Sequence, residues 1–273
     1  MTWFFTEDAA AFRAAAADLL AAEAARNTAV LTLMDRADRL GWWAEPDGRV
    51  TGVVAVSPPR EPAFGAVTVE AARALVLPEG EAPTAVRGET AAVEAFAEAT
   101  GRPWTVTVRM RLFRLGELTP PQPAPAGRAR VAVEADIPFA AVWAREFARD
   151  IGENVTGRDF TGHVTERVTD GRLVLWETPD GRPVSMASVS RTIEDQARVH
   201  LVYTPPAERG RGYAAGATEA ASRAALDSGA TRVLLFTDLA NPTSNALYQR
   251  LGYRPVTDHL TVEFRGEPAP VSG

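Results

Sequence analysis

The sequence predicts a mixed α/β protein made of two halves of similar design. In the second half, helical periodicity and short apolar runs alternate in the order ααββ-β-α-β-α-β. That order suits a sheet layered with helices rather than a sandwich or a bundle. A stretch of the first half, WAEPDGRVTGVVAV (43–56), returns as WETPDGRPVSMASV (176–189). Trp43 and Trp176, Asp47 and Asp180, Gly48 and Gly181, and Arg49 and Arg182 all match at one constant offset. Hydrophobic residues make up 46% and charged residues 23% of a 273-residue chain. This is an ordinary globular balance, with room for two cores of about 130 residues each.

Taken in order, DAAAFRAAAADLLAAEA (8–24) and TAVLTLMDRADRL (28–40) read as helices. The Pro-Asp-Gly at 46–48 reads as a hairpin turn between apolar alternating segments. VTGVVAV, GAVTV and WTVTVRMRLFRL (104–115) are strand-like, and ETAAVEAFAEATG (89–101) is helical. The proline-rich LTPPQPAPAG (118–127) has little side chain to bury and reads as a linker between domains at 1–117 and 128–273. Helices are then expected over about 136–150 and 157–169, and strands near 172–178, 183–191 and 197–204. A helix over about 211–228 stops at Gly229, and the strand TRVLLFTD (231–238) follows. A helix over about 242–250 starts at Pro242, where a missing N–H costs nothing, and a last strand spans about 253–264.

Absences narrow the chemistry. The chain has no cysteine, and all 29 basic residues are arginine. Thiol nucleophiles, disulfides, Schiff-base lysines and P-loop lysines are therefore excluded. Three histidines (His163, His200, His259) without HExxH spacing give no footing for a zinc hydrolase, and no metal is expected. A net charge of −6 with interspersed signs gives no basic face for nucleic acid. No run reaches the roughly 18 apolar residues of a membrane span. The acidic pair in MTWFFTEDAA does not suit a signal peptide, so a cytoplasmic protein is expected.

The chemistry concentrates in VYTPPAERGRGYAAG (202–216). A strand leads into a loop with Gly210 and Gly212 and then into a helix, so several backbone N–H groups lack intrahelical partners and suit a phosphate or diphosphate. Arg209 and Arg211 add full charges with forked donors. Pro205 and Pro206 cannot donate ladder hydrogen bonds, so strand pairing should end at Thr204 and leave a cleft. An extended amide-bearing arm could pair there like an added strand, and a ligand with a diphosphate and such an arm is coenzyme A. A solvated surface turn is the plain alternative. Gly210-x-Gly212-x-x-Ala215 with Asp238 also meets a permissive dinucleotide pattern, but PPAER separates the strand from the first glycine. GxxxxGK[ST] and GxSxG are absent.

VYTPPAERGRGYA followed by TDLANPTSNALYQRLGYRPV resembles the acyl-CoA-binding core of the GCN5-related N-acetyltransferase (GNAT) superfamily. The R/Q-x-x-G-x-G/A signature falls on Arg209, Gly210, Arg211, Gly212, Tyr213 and Ala214. The second motif is Asn241, Ser244, Asn245, Tyr248 and Leu251-Gly252-Tyr253. The motifs cover about 197–256, and the rest of 128–265 fits in outline. The resemblance implies two GNAT-like domains, each a mixed, mainly antiparallel sheet flanked by helices, the first of them degenerate. At the offset of the repeat, Arg209 corresponds to Val76, in LVLPEGEAP, which has no glycine loop. The resemblance further implies that acetyl-CoA is the co-substrate. Backbone groups of Tyr203 and Thr204 would pair with its pantetheine arm and the amides of 209–214 would hold its diphosphate. Asn241 and Asn245 would lie beside the arm, and Tyr248 would protonate the departing thiolate.

The implied reaction is direct attack of a neutral amine, of a small molecule or a peptide, on the thioester. A backbone N–H near Thr204 would serve as oxyanion donor. Candidates for the base are His200, with Glu146, Asp150 and Glu177 behind it, and a water chain is an alternative. Trp143, Phe147 and Trp176 are candidates for an acceptor pocket, against the plainer reading as core. A coenzyme A-binding sensor without turnover is the competing function. Both a monomer and a homodimer are compatible with the sequence.

Overall fold

The computed structural model describes residues 1–57, 60–77 and 82–265. They form two compact units. One comprises Met1–Leu112, Thr237–Asn241 and the segment from Pro255 onward; the other comprises Phe113–Phe236 and Pro242–Arg254. Packing therefore divides the chain at Leu112 and moves the C-terminal segment into the first unit, whereas the sequence suggests a single boundary in 118–127.

The first unit starts with β1 (Thr2–Thr6), α1 (Ala9–Ala15), α2 (Ala17–Ala22) and α3 (Thr28–Leu33). Next come β2 (Arg39–Ala44), β3 (Val50–Ser57), β4 (Arg60–Val67), α4 (Val69–Arg73), β5 (Ala85–Glu89), α5 (Thr90–Ala99) and β6 (Trp104–Leu115). Asp8 caps α1 by accepting from the N–H groups of Ala10 and Ala11 at 2.8 and 3.2 Å. The helix expected over 8–24 breaks at Ala16, whose φ of −100° and ψ of 10° leave the helical range. The helix expected over 28–40 ends at Leu33 and gives Arg39 and Leu40 to β2. There they pair with Val56 and Ala55 of β3, and Leu40 is fully buried. Pairing across a sheet outweighs local propensity at these two residues. The sheet order is β1-β2-β3-β4-β5-β12-β6, where β12 (Tyr253–Phe264) sets His259 opposite Glu89 and Val262 opposite Val86. β1, α4 and β5 are additions to the elements that the sequence predicts.

The second unit runs β7 (Arg128–Val131), α6 (Ile137–Asp150), α7 (Phe160–Thr169), β8 (Leu173–Glu177), β9 (Pro183–Val189) and β10 (Gln196–Tyr203). It continues with α8 (Tyr213–Asp227), β11 (Arg232–Asp238) and α9 (Pro242–Arg250). These follow the expected elements closely, with β7 as an additional strand on the approach to α6. The strand order β7-β8-β9-β10-β11 is antiparallel except between β10 and β11. The period of two along a strand sorts the core. Leu173 and Leu175 pack with Met186, Tyr203 and the α6–α7 layer, whereas Val174 packs with Ala187, Val199 and the α8–α9 layer.

The two repeated Pro-Asp-Gly turns have the same geometry. The N–H of Glu45 bonds the carbonyl of Arg49, and that of Gly48 bonds Glu45; the equivalent bonds join Thr178 to Arg182 and Gly181 to Thr178, all at 2.9–3.0 Å. Gly48 and Gly181 have φ of 85° and 84°, a conformation that glycine adopts without strain.

The proline-rich segment is docked rather than loose. Thr119 N–H bonds the carbonyl of Leu251, Trp176 Nε1–H donates to the carbonyl of Ala126 at 3.0 Å, and Pro125 is buried. Trp176 lies under α8, so close that a Cβ on Gly216 would come within 2.7 Å of its ring. Replacing glycine by alanine inside a helix normally adds up to about 1 kcal/mol. Here Gly216→Ala is expected to lower the urea unfolding midpoint instead, by about 1–3 kcal/mol of stability, because the ring or the helix must shift.

Candidate active site

The site is built on the parting of β10 from β11. Parallel pairing holds from Gln196 opposite Arg232 to Arg198 opposite Leu234 and then stops, while β10 stays paired with β9 as far as Tyr203 opposite Met186. The split thus opens at Val199, well before Thr204, where the two prolines alone would place it. Its cause is a bulge: one extra residue lies between His200 and Tyr203, and Leu201 takes a φ of 54°. A bulge bends its strand and increases the local twist, which turns β10 away from its neighbour. The backbone of Val199–Val202 is left beside the opening.

Beyond the prolines the chain reaches the glycine loop. Gly210 and Gly212 both lie in the left-handed region, at φ of 79° and 81°, and Gly212 is the N-cap of α8. Among the described residues, no protein acceptor is found for the N–H groups of Gly210, Arg211, Gly212, Tyr213 and Ala214. Five successive free amides at the positive end of a 15-residue helix suit an anion with several oxygens, and the glycines let it approach closely. α8 itself can press against the sheet because its buried face includes Gly216, Ala217, Ala221, Ser222 and Ala225. A diphosphate fits these residues.

The two loop arginines are less free than the sequence implies. Arg209 donates from Nε to the carbonyl of Thr204 at 2.9 Å and from Nη2 to Asp150 at 2.5 Å, with its guanidinium 5.9 Å from the centre of the Tyr203 ring. Arg211 bonds Glu208, which also holds Arg182. Tyr203 and Thr204 are similarly engaged. Ser185 Oγ–H donates to the carbonyl of Tyr203 at 3.0 Å and lies 2.9 Å from the hydroxyl oxygen of Thr204. Their backbone is thus largely tied within the protein, which moves the free strand edge upstream to Val199–Val202.

Tyr248, on α9, is buried in the α8–α9 layer, its ring 6.1 Å from that of Tyr253. Burial pushes its phenol up to about 12, so it keeps its proton at neutral pH. Asn245 lies one turn before it on the same helix. Asn241 closes the preceding turn, where its N–H bonds the carbonyl of Asp238. His200 is in another setting. Its neighbour Val199 packs in the α8–α9 layer and Leu201 in the α6–α7 layer, and Nε2 lies 3.3 Å from Ser188 Oγ. Burial, and then the positive charges of Arg167, Arg198 and Arg172, bring its pKa down to about 3. An imidazole of this kind is a weak proton acceptor, which counts against His200 as the base. Glu177 is also removed from that role: it is buried and bonded to Arg130, which holds Asp136 as well. Trp143 packs with Tyr203 at 6.1 Å, whereas Trp176 lies in the other layer, so the two do not line one pocket.

In the first unit the irregularity lies instead between β3 and β4, whose register shifts between Val54 opposite Phe64 and Gly52 opposite Val67. β4 and β5 share one recorded parallel pair, Ala63 opposite Arg87. Beyond it the N–H of Ala66 is taken by the Oδ1 of Asn27 at 2.8 Å, and the Asn27 amide donates to the carbonyl of Leu19 at 3.0 Å. Asn27 is fully buried. β4 is followed by α4, a helix of five residues rather than a long one, and Pro78–Glu81 of LVLPEGEAP lie outside the described residues. Among the described residues no three His, Asp or Glu side chains gather as a metal would require, and no helix is long and apolar enough to cross a membrane.

Residues 137–253 match the Acetyltransferase (GNAT) family. Among solved structures, a GCN5-related N-acetyltransferase from Sphaerobacter thermophilus is similar at 16% identity and a TM-score of 0.64, over 98% of each chain. A GCN5-related N-acetyltransferase from Kribbella flavida aligns at 22% identity and a TM-score of 0.55, over 80% of this chain and 88% of that one. A GNAT-family acetyltransferase from Colwellia psychrerythraea aligns at 12% identity and a TM-score of 0.56, over 97% and 100%. At these identities the likeness is one of fold, and it extends over both units. No curated protein matches the chain.

The depressed pKa of His200 has a measurable consequence. Below about pH 6.5 the unfolded chain takes up a proton that the folded state refuses until about pH 3. Stability present above pH 6.5 therefore declines as pH falls through that window. His200→Gln is expected to lose less stability than wild type between pH 7 and pH 5, by on the order of 1 kcal/mol. Urea unfolding at the two pH values measures the difference.

Proposed function

With residues 137–253 matching the GNAT family of acetyltransferases, we propose that the protein transfers an acetyl group from acetyl-CoA to a primary amine of a small molecule or peptide. The observation that carries this reading is the run of five free amides at Gly210–Ala214, placed directly beyond a strand that has left its neighbour. The amides hold the diphosphate, and the pantetheine arm pairs along Val199–Val202 in place of the missing strand. The thioester then lies in the split, where an N–H near the Leu201 bulge serves the developing oxyanion.

The amine attacks as the neutral base, and its nitrogen forms the new amide as the carbon–sulfur bond breaks. Tyr248 donates its phenolic proton to the departing thiolate, a role helped by a pKa that keeps the group protonated beforehand. The proton lost by the amine passes through water to solvent, from which the Tyr248 phenolate is reprotonated. The first unit does not bind the coenzyme, because Asn27 already satisfies the backbone that a pantetheine arm would use. The burial of Tyr248 also favours a second reading, a coenzyme A-binding sensor without turnover.

Acetyl-CoA consumption across a panel of amines, with CoA titration alongside, separates the two. Saturable CoA binding is expected in the wild type, and Tyr248→Phe is expected to lower kcat by about 10²-fold while retaining CoA binding. Binding with no turnover of any amine would favour the sensor, and no saturable binding would end both readings. Reversing charge at both loop arginines, Arg209→Glu with Arg211→Glu, is expected to weaken CoA binding by at least about 100-fold.

A further inference from the structure

The split strand raises a structural problem. An edge that has lost its neighbour carries unpaired backbone groups and tends to re-pair or collapse. In this protein the last residues of β10 are held from the side by α6. Glu146 and Asp150 stand one helical turn apart, and therefore on one face of that helix. The Tyr203 hydroxyl donates to Glu146 at 2.7 Å, and the Trp143 ring lies 6.1 Å from the Tyr203 ring. Asp150 accepts from Arg209, whose Nε in turn holds the carbonyl of Thr204. One guanidinium thus joins the end of α6, the end of β10 and the first residue of the loop signature. Ser185 secures the Tyr203 carbonyl and the Thr204 hydroxyl from β9.

We infer that Glu146 and Asp150 are positioning residues for the acyl donor. Acting through the Tyr203 hydroxyl and the Arg209 guanidinium, they lock the end of β10 and the start of the glycine loop in the geometry that receives coenzyme A. This rests on the proposed reading of that cleft as the coenzyme A site. A cleft already fixed in its binding shape loses less conformational entropy when the ligand arrives. Arg209 is then primarily a brace, because two of its donor directions are committed to Thr204 and Asp150. Lysine keeps the charge but has no planar fork with which to bond both partners at once.

The test is CoA titration by calorimetry, with steady-state kinetics and pH profiles, on wild type, Asp150→Asn, Glu146→Gln, Tyr203→Phe, Asp150→Glu and Arg209→Lys. Tyr203→Phe cuts the link to Glu146 from the other side while nearly preserving volume, which guards against a variant that simply fails to fold. Asp150→Asn, Glu146→Gln, Tyr203→Phe and Arg209→Lys are each expected to raise the Kd for CoA by about tenfold. The KM for acetyl-CoA should rise with it, with the loss absent from kcat at saturating donor and from the pH profile. Asp150→Glu is expected to recover part of the affinity. Tighter CoA binding by Asp150→Asn would overturn the inference, since the carboxylate would then merely repel the diphosphate. Wild-type affinity in Arg209→Lys would also overturn it, as would a lower melting temperature with unchanged Kd. A fall in kcat with a displaced pH limb would reassign the carboxylate concerned to proton transfer. Failure of the coenzyme A reading itself shows separately, as an absence of saturable binding in the wild type.

Discussion

The arrangement depends on one constraint: a strand in the middle of a sheet gives up its neighbour partway along. Backbone N–H and C=O groups inside a protein need partners, so a parting of this kind is sustained only where something else supplies them. In the second unit the separation opens at Val199, just before the bulge at Leu201, and β9 continues to pair with β10 through Tyr203. Side chains from α6, β9 and the loop take over at the far end. What remains between these two ends is a short length of backbone without a neighbouring strand on one side.

The helix that follows lies close on the sheet. α8 buries glycine, alanine and serine against the sheet, and Gly216 meets the ring of Trp176. Its axis therefore runs close to the strands. Larger residues on that face would lift the helix from the sheet. The docked proline-rich segment adds a wall on this side, with Pro125 buried near Gly212.

The first unit uses similar elements with a different closure. Its Pro-Asp-Gly turn has the same hydrogen bonds as the turn of the second unit, which agrees with a common design for the halves. Yet the edge of β4 beyond Ala63 is met by Asn27, a side chain of its own unit, and the helix that follows has five residues. A polar side chain fully buried against a free strand edge satisfies the backbone without any ligand. The irregular strand is thus met by a buried side chain in the first unit, whereas in the second pairing with β11 ends at Arg198.

Much of this is legible in the sequence because it is local. The glycines at 210 and 212, the small-residue face of α8, the turns at 46–48 and 179–181 and the order of elements in the second half follow from conformational preferences and periodicity within a few residues. The fate of longer-range groups is not legible there. Pro205 and Pro206 point to a split at Thr204, but pairing ends at Arg198 because a bulge, invisible in the pattern RVHLVY, sets the strand's twist. His200 has a suitable reference pKa, and only its burial beside three arginines moves it out of range. Arg209 is recognisable as part of the glycine-loop signature, but its engagement with Asp150, far back on α6, is not. The pairing of β12 with β5, two strands far apart in the chain, likewise assigns the C-terminal segment to the first unit. The local sequence determined which elements form and where the glycine loop falls. The tertiary structure decided which charges and backbone groups remain available, because availability depends on partners that are distant in sequence and adjacent only after folding.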